Sequence, residues 1–285
     1  MKLGLFTDMH QDEYRKLDAL ANSDALLIER NPSDYIWSRK APTNFAKVQT
    51  KDIGTALHAA LLEPETYNDL VLVSSVKGRQ TKAFEQEIAD NPENIVLTAE
   101  EAEQVNIMVG SVNAHPTASQ WLIQNGHNEC SVVAQDNETG IITKCRPDKN
   151  IAESCGACID VKTTGSMDDW RSDKEWINPM FKFGYGHQAA FYLHTLSLHY
   201  GFDVDKFVFV VVSTKVELGR YPVGVFEVTR DQLIAWGFWS RMLNNIDKYA
   251  ECKVSDNWLH NETFSFRVDD EQYSEDVEVV YDGEQ

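Results

Sequence analysis

Runs of apolar and β-branched residues in the second half of the chain predict the strands of a β-sheet. Residues 130–134 and 141–146 are two such runs, and a turn-forming segment at residues 136–140 separates them. A third run follows at residues 159–164, so we expect the three strands to form an antiparallel meander. Residues 207–212 are apolar at every position, which is typical of a strand buried on both faces.

Apolar residues spaced by three and four positions predict helices before and between these strands. One helix is expected over residues 50–62, because Pro64 follows its last turn. Residues 98–101 have the pattern of a capping box and open a helix that extends to residue 114. A helix at residues 185–200 stands between the third strand and the buried strand, an order typical of a right-handed parallel crossover.

The predicted elements indicate an α/β protein whose mixed central β-sheet combines an antiparallel meander with a parallel crossover strand and is flanked by helices. The sequence contains no internal repeat, low-complexity segment or linker, so we expect residues 1–285 to form a single domain. We divide it into a helical N-terminal part at residues 22–123, a core at residues 128–250 and an acidic C-terminal tail at residues 253–285.

The composition adds limits on location and partners. No run of about 18 apolar residues is present, so no membrane span is expected. The five scattered cysteines and the absence of an export signal predict reduced thiols in a cytoplasmic protein. The net charge of −19 argues against nucleic-acid binding by the whole surface, although it leaves a local basic groove open.

The first candidate for chemistry is the pair Asp160 and Lys162, set in the apolar third strand. Side chains alternate between faces along a strand, so these two should project to the same side. A carboxylate that holds a divalent cation beside an ammonium that orients water can serve metal-assisted hydrolysis. The alternative is an ordinary surface ion pair. His58 shares a helix face with Gly54, four residues earlier, and could equally be a structural histidine.

Several short motifs stand out along the chain. They are Gly54-Thr55-Ala56-Leu57-His58 with Leu62-Glu63-Pro64, Cys145-Arg146-Pro147-Asp148-Lys149, Asp160-Val161-Lys162-Thr163-Thr164, His187-Gln188-Ala189-Ala190-Phe191-Tyr192 and Gly219-Arg220-Tyr221-Pro222-Val223. Taken jointly, these motifs resemble the PD-(D/E)xK nuclease superfamily, within its RecB-like group, and most of all nuclease domains of the RecE (exonuclease VIII) type. The resemblance covers residues 22–250 and implies the PD-(D/E)xK nuclease fold.

The resemblance implies a metal site that binds Mg²⁺, for which Mn²⁺ could substitute. Its ligands would be His58, Asp148, Asp160 and the backbone carbonyl of Val161. Lys162 would then position or deprotonate the attacking water. Oxygen ligands suit Mg²⁺, whereas an imidazole ligand favours Mn²⁺.

The same resemblance assigns three further residues to the site. Gln188 and Tyr192, four residues apart on one helix, would line it and hold the DNA backbone. Glu129 matches a family acid near the metal, or it simply flanks the first strand.

The activity implied by the resemblance is an exodeoxyribonuclease that degrades linear double-stranded DNA from its ends, 5′ to 3′, and leaves 3′ single-stranded tails. It also implies a homotetrameric ring with a central channel and a single-strand annealing recombinase as partner, in the cytoplasm of a bacterial or phage-infected cell. Two alternatives remain. One is a DNA-binding or interaction protein that kept the fold without the chemistry, and the other is a metal-dependent hydrolase of another nucleic acid.

Two further segments each allow two interpretations. The basic residues 77–82 could contact DNA phosphates through Arg79 and Lys82, or they could form an ordinary surface loop. Cys155 and Cys158 are spaced as in a zinc site, but no second pair matches them, so we expect reduced thiols in a turn.

Overall fold

The computed structural model describes residues 1–41 and 52–259. The strands in these ranges are β1 (Gly4–Phe6), β2 (Val71–Val73), β3 (Ile95–Leu97), β4 (His127–Asn128), β5 (Ser131–Gln135), β6 (Ile142–Cys145), β7 (Lys149–Ile151), β8 (Ala157–Thr164), β9 (Lys206–Ser213) and β10 (Val223–Thr229). The helices are α1 (Gln11–Lys16), α2 (Asn22–Arg30), α3 (Pro32–Lys40), α4 (Asp52–Leu62), α5 (Tyr67–Leu70), α6 (Lys82–Asp90), α7 (Ala99–Ala114), α8 (Pro116–Leu122), α9 (Ala152–Cys155), α10 (Met167–Arg171), α11 (Pro179–Lys182), α12 (Tyr185–Tyr200), α13 (Arg230–Ala235) and α14 (Phe238–Ser255).

A five-stranded mixed sheet of order β10-β9-β8-β7-β4 forms the centre of the fold. Strands β8 and β9 run parallel over eight residue pairs, and the other neighbours are antiparallel. Helix α12 connects β8 to β9, which confirms the predicted parallel crossover. A second sheet has the order β1-β5-β6, and β2 pairs with β3 in parallel.

The predicted three-stranded meander needs a correction. The hairpin of β5 and β6 belongs to the smaller sheet, and the strand that pairs with β8 is the short β7, which the sequence pattern did not reveal. The change of sheet falls at Pro147, between the end of β6 and the start of β7. Proline has no N–H to donate to a ladder, so a continuous strand ends there.

The core lies on both faces of the five-stranded sheet. Alternate residues of β9, such as Phe207 and Phe209, pack toward α12 and α14, while Val208 and Val210 pack toward α4 and α7. Every residue of β9 after Lys206 is buried. This arrangement explains why the strand reads as a continuous apolar run.

The helical predictions at residues 98–114 and 185–200 are confirmed, and the capping box of Thr98 and Glu101 is present. Residues 1–21 contain β1 and α1. Helix α14 continues to Ser255, so the first residues assigned to the acidic tail are helical, and residues 269–284 lie outside the described ranges. Within residues 1–41 and 52–259, the helices are all too short or too polar to cross a membrane.

Candidate active site

Asp160 and Lys162 lie on the same face of β8, as their spacing predicted. The Nζ atom of Lys162 is 2.5 Å from Oδ2 of Asp160, and their side chains are only 20% and 4% exposed. An ion pair on the surface would leave both groups in water. This pair is buried, so its desolvation has to be offset by further polar contacts nearby.

The edge of β8 is open beside this pair. Strand β7 pairs only with residues 157–159 of β8, and its first pair is Lys149 with Ile159. Asp148 precedes β7, so it lies opposite Asp160, where the ladder has ended. Its Oδ2 atom accepts a 2.6 Å hydrogen bond from the backbone N–H of Val161. The acid is thereby fixed to a strand edge that would otherwise have an unpaired N–H.

His58 contacts Asp148 from helix α4, on the face of the sheet opposite to α12. Helix α4 packs on β8, and a Cβ on Gly54 would lie 3.9 Å from Oγ1 of Thr163, an ordinary contact. The Nδ1 atom of His58 is 3.3 Å from Oδ2 of Asp148. Burial would lower the pKa of His58, but the Asp148 carboxylate outweighs burial and raises it to about 9. Burial by itself would raise the pKa of Asp148. The charge of His58 and its hydrogen bond outweigh burial, so the pKa of Asp148 is lowered.

Glu129 joins the group through its backbone and its side chain. Its N–H donates a 3.0 Å hydrogen bond to the carbonyl of Asp148, and its φ of 48° is unusual for a residue other than glycine. Burial, followed by the charge of Asp148, raises the pKa of Glu129 to about 7. Arg146 holds the carboxylate through a 3.2 Å contact from Nε to Oε2.

These residues form a group that could hold a cation. One ligand atom each from His58, Glu129 and Asp148 lies within 4.8 Å of the others. Asp160 stands beside this group, and burial together with the Asp148 charge raises its pKa to about 6 against the opposing effect of Lys162. Carboxylates that crowd each other in this way are stabilised by a divalent cation, and oxygen donors suit such an ion.

Helix α12 contributes a direct contact to Asp160. The amide Nε2 of Gln188 donates a 2.7 Å hydrogen bond to Oδ1 of Asp160, so it fixes the orientation of the acid. Tyr192, one turn further along α12, packs its ring 6.0 Å from that of Phe207. Its pKa is raised well above the ordinary value by burial and then by nearby groups that include Asp160.

Residues 36–259 match a family described as a PDDEXK-like domain of unknown function (DUF3799). The chain belongs to this PDDEXK-like family. A crystal structure from Eubacterium rectale, described as a "putative exonuclease", superposes with a TM-score of 0.55 and covers 91% of this chain and 97% of its own. At 13% identity that likeness shows a shared fold. No curated protein matches the sequence.

The family match confirms the PD-(D/E)xK superfamily, and the structural likeness agrees with its α/β fold. They do not single out the RecE type within the superfamily. PDDEXK nucleases generally use divalent metal ions, in agreement with the ligand group of His58, Glu129 and Asp148.

Two side chains of this PDDEXK-like domain had no assigned role and contact the site. Arg146 donates to Ser131 Oγ at 2.8 Å and to the carbonyl of Met9 at 2.9 Å, in addition to holding Glu129. The ring of Tyr185 lies 4.9 Å from the ammonium of Lys162. Arg146 stands within the quoted motif and could have been noted there. Tyr185 carried no signal, because its role depends on how α12 crosses β8.

The proposed DNA contacts lie on another part of the chain. The guanidinium of Arg79 donates to both carboxylate oxygens of Glu101, at 2.7 and 3.0 Å, so the residue supports the start of α7. Lys82 is the first residue of α6. Their contact with DNA stays a prediction. Cys155 is exposed at the end of α9, Cys158 is buried in β8, and neither forms a disulfide.

Proposed function

We propose that the protein is a divalent-metal-dependent exodeoxyribonuclease that degrades linear double-stranded DNA. The observation that carries the proposal is the convergence, at the open edge of β8, of the ligand group His58, Glu129 and Asp148 with the buried pair Asp160 and Lys162. Within a PDDEXK-like family, this combination is what phosphodiester hydrolysis requires.

The cation would be held by side chains from several elements. His58, Asp148 and Glu129, with Asp160 beside them and the carbonyl of Val161, would hold the cation, most suitably Mg²⁺ with Mn²⁺ as substitute. Such an ion supplies positive charge for the leaving oxygen and makes a bound water more acidic.

Lys162 would act on the water or on charge that develops in the transition state. Its ammonium is held between the Asp160 carboxylate and the face of Tyr185, so it is positioned before the substrate arrives. Gln188 keeps Asp160 in one orientation through its 2.7 Å hydrogen bond. Tyr192 would contribute to the wall of the site and to the grip on the DNA backbone.

The finer features of the proposal rest on the resemblance to RecE-type nucleases. We infer 5′ to 3′ digestion that leaves 3′ single-stranded tails for a single-strand annealing recombinase. We also infer a homotetrameric ring. A ring would allow a chain of net charge −19 to bind DNA, because only its central channel has to be basic.

A substrate panel tests this function. Blunt linear duplex, single-stranded DNA, closed circular duplex and RNA would each be incubated with Mg²⁺, Mn²⁺ or EDTA, and duplexes labelled at either 5′ or 3′ end would report polarity. We expect metal-dependent loss of linear duplex and survival of the circle. The Asp160→Asn variant is the control for contaminating nucleases. Cleavage confined to RNA, or DNA binding with no cleavage under any metal, would overturn the proposal in favour of the two alternatives.

A further inference from the structure

A short segment between β8 and α12 exposes an aromatic ring beside a lysine. Phe183 follows the last residue of α11 and is 57% exposed. The ammonium of Lys182 lies 5.1 Å from the centre of its ring. Both groups face solvent in a chain that has many more acids than bases.

The exposed ring is continuous with the candidate active site. Its centre lies 5.9 Å from the ring of Tyr185, and that ring lies 4.9 Å from the Lys162 ammonium. Lys162 contacts Asp160 at 2.5 Å. A series of neighbouring side chains therefore runs from the surface at Phe183 to the acids.

Packing of the segment holds the ring in its outward position. Phe181, two residues earlier, packs against Phe238 with ring centres 4.8 Å apart. Gly184, directly after Phe183, has a φ of 72° and lies close to Leu26, so the chain makes a tight turn there. Phe181 and Gly184 are both packed against other elements, so the backbone that carries Phe183 is held in place.

We propose that Lys182 and Phe183 form a docking platform for an unpaired DNA strand on its path to the acids. An aromatic ring can stack on any base, but inside a duplex the neighbouring base pairs cover both faces of each base, and a blunt end leaves open only the outer face of its last pair. A lysine next to such a ring can bind the adjoining phosphate. The platform thus favours an end with unpaired nucleotides. This inference rests on the proposed function, since it names the form of DNA which that site would receive.

The test measures binding without cleavage. Fluorescence anisotropy in EDTA would compare a duplex carrying an oligothymidine tail with a blunt duplex of equal length. Phe183→Ala should weaken binding of the tailed duplex about 5- to 100-fold, as is typical when one stacking aromatic is removed. Binding of the blunt duplex should change little. Phe183→Tyr should retain the affinity, and Lys182→Ala should flatten the salt dependence by about one contact.

Phe202 provides a matched control. It is 46% exposed and stacks on Tyr200, at the opposite end of α12 from Phe183. Phe202→Ala should leave tail binding at the wild-type level. Equal effects of the two alanine variants would overturn the platform. A shift of oligomeric state in Phe183→Ala, seen by light scattering without a change in tail binding, would also overturn it and assign the ring to a contact between copies.

The two proposals can fail separately. If the wild-type protein degrades linear DNA and Phe183→Ala binds the tail normally, the platform is wrong and the proposed function stands. If no nucleic acid is cleaved but Phe183→Ala loses tail binding, the platform stands and the nuclease function is wrong.

Discussion

The Asp148 carboxylate accepts a 2.6 Å hydrogen bond from the backbone N–H of Val161. It joins the residue before β7 to the strand that carries Asp160 and Lys162. In an extended strand the N–H and C=O of one residue leave the same edge. The carbonyl of Val161 therefore also faces this edge, in agreement with its predicted role as a backbone ligand.

Asp160 and Lys162 should have separable roles. Asp160→Asn removes a charge that would help to hold the cation, so metal affinity and cleavage should both fall. Lys162→Ala should keep metal binding near normal or tighten it, because a nearby positive charge is lost, while cleavage falls about 10²- to 10³-fold. Calorimetric titration with Mg²⁺ or Mn²⁺, beside cleavage of linear duplex, measures both. Wild-type cleavage by either variant would contradict the assignment.

Arg146 should position Glu129 and anchor the N-terminal segment. Arg146→Ala removes its hydrogen bonds to Glu129, Ser131 and the Met9 carbonyl. We expect a lower thermal midpoint and faster proteolysis near Met9. The pKa of Glu129 should rise further, because the guanidinium charge of Arg146 now lowers it. The pH at which activity rises should therefore move to a higher value. Arg171→Ala, which removes a 65% exposed guanidinium paired with Asp168, is the control and should change neither property.

Arg79 and Lys82 should differ when they are replaced singly. Arg79→Ala breaks the two-point contact with Glu101, so we expect about 1 kcal/mol lower stability whether or not DNA is bound. Lys82→Ala should leave stability unchanged and reduce the salt slope of DNA binding by about one if it contacts a phosphate. Thermal unfolding and binding at several salt concentrations measure these effects. An unchanged slope in both variants would make the segment an ordinary surface loop.

His187 should make the fold sensitive to mild acid. It is fully buried between Asn22 and Asn245, which contact its two ring nitrogens, and burial lowers its pKa to about 4. The unfolded chain takes up this proton near pH 6.5, so stability is retained above that pH and lost as the pH falls toward 4. The loss is on the order of 3 kcal/mol. Urea unfolding between pH 7 and 4.5 measures this loss, and the free energy of unfolding should depend less on pH in His187→Gln than in the wild-type protein. Equal pH dependence in both proteins would be the contrary result.

The ring proposal predicts a stable homo-oligomer in solution. Light scattering at micromolar protein should give a mass near four times that of the 32.4 kDa chain. A monomer that still degrades long linear DNA processively would contradict the ring.

The sequence by itself determined the strands with strong patterns and the helices with clear caps. Residues 207–212 indicate a buried strand because both faces of β9 are covered, which makes every position apolar. The start of α7 is predictable because its capping box involves only residues close in sequence. The joint motif also brought out His58, Asp148, Asp160, Lys162 and Gln188. In the structure His58 contacts Asp148, and Asp160 contacts both Lys162 and Gln188. Local propensity and motif spacing carry this information within a few residues.

Only the tertiary structure decided how the site is closed and supported. The three-residue strand β7 has too few positions to show an alternation. The sequence therefore could not reveal that β7 begins opposite Ile159 and leaves the edge of β8 beyond it unpaired, where Asp148 lies. The contacts of Arg146 with Met9, and of Tyr185 with Lys162, join residues distant in sequence. Such contacts depend on how whole elements pack, and no local pattern encodes them.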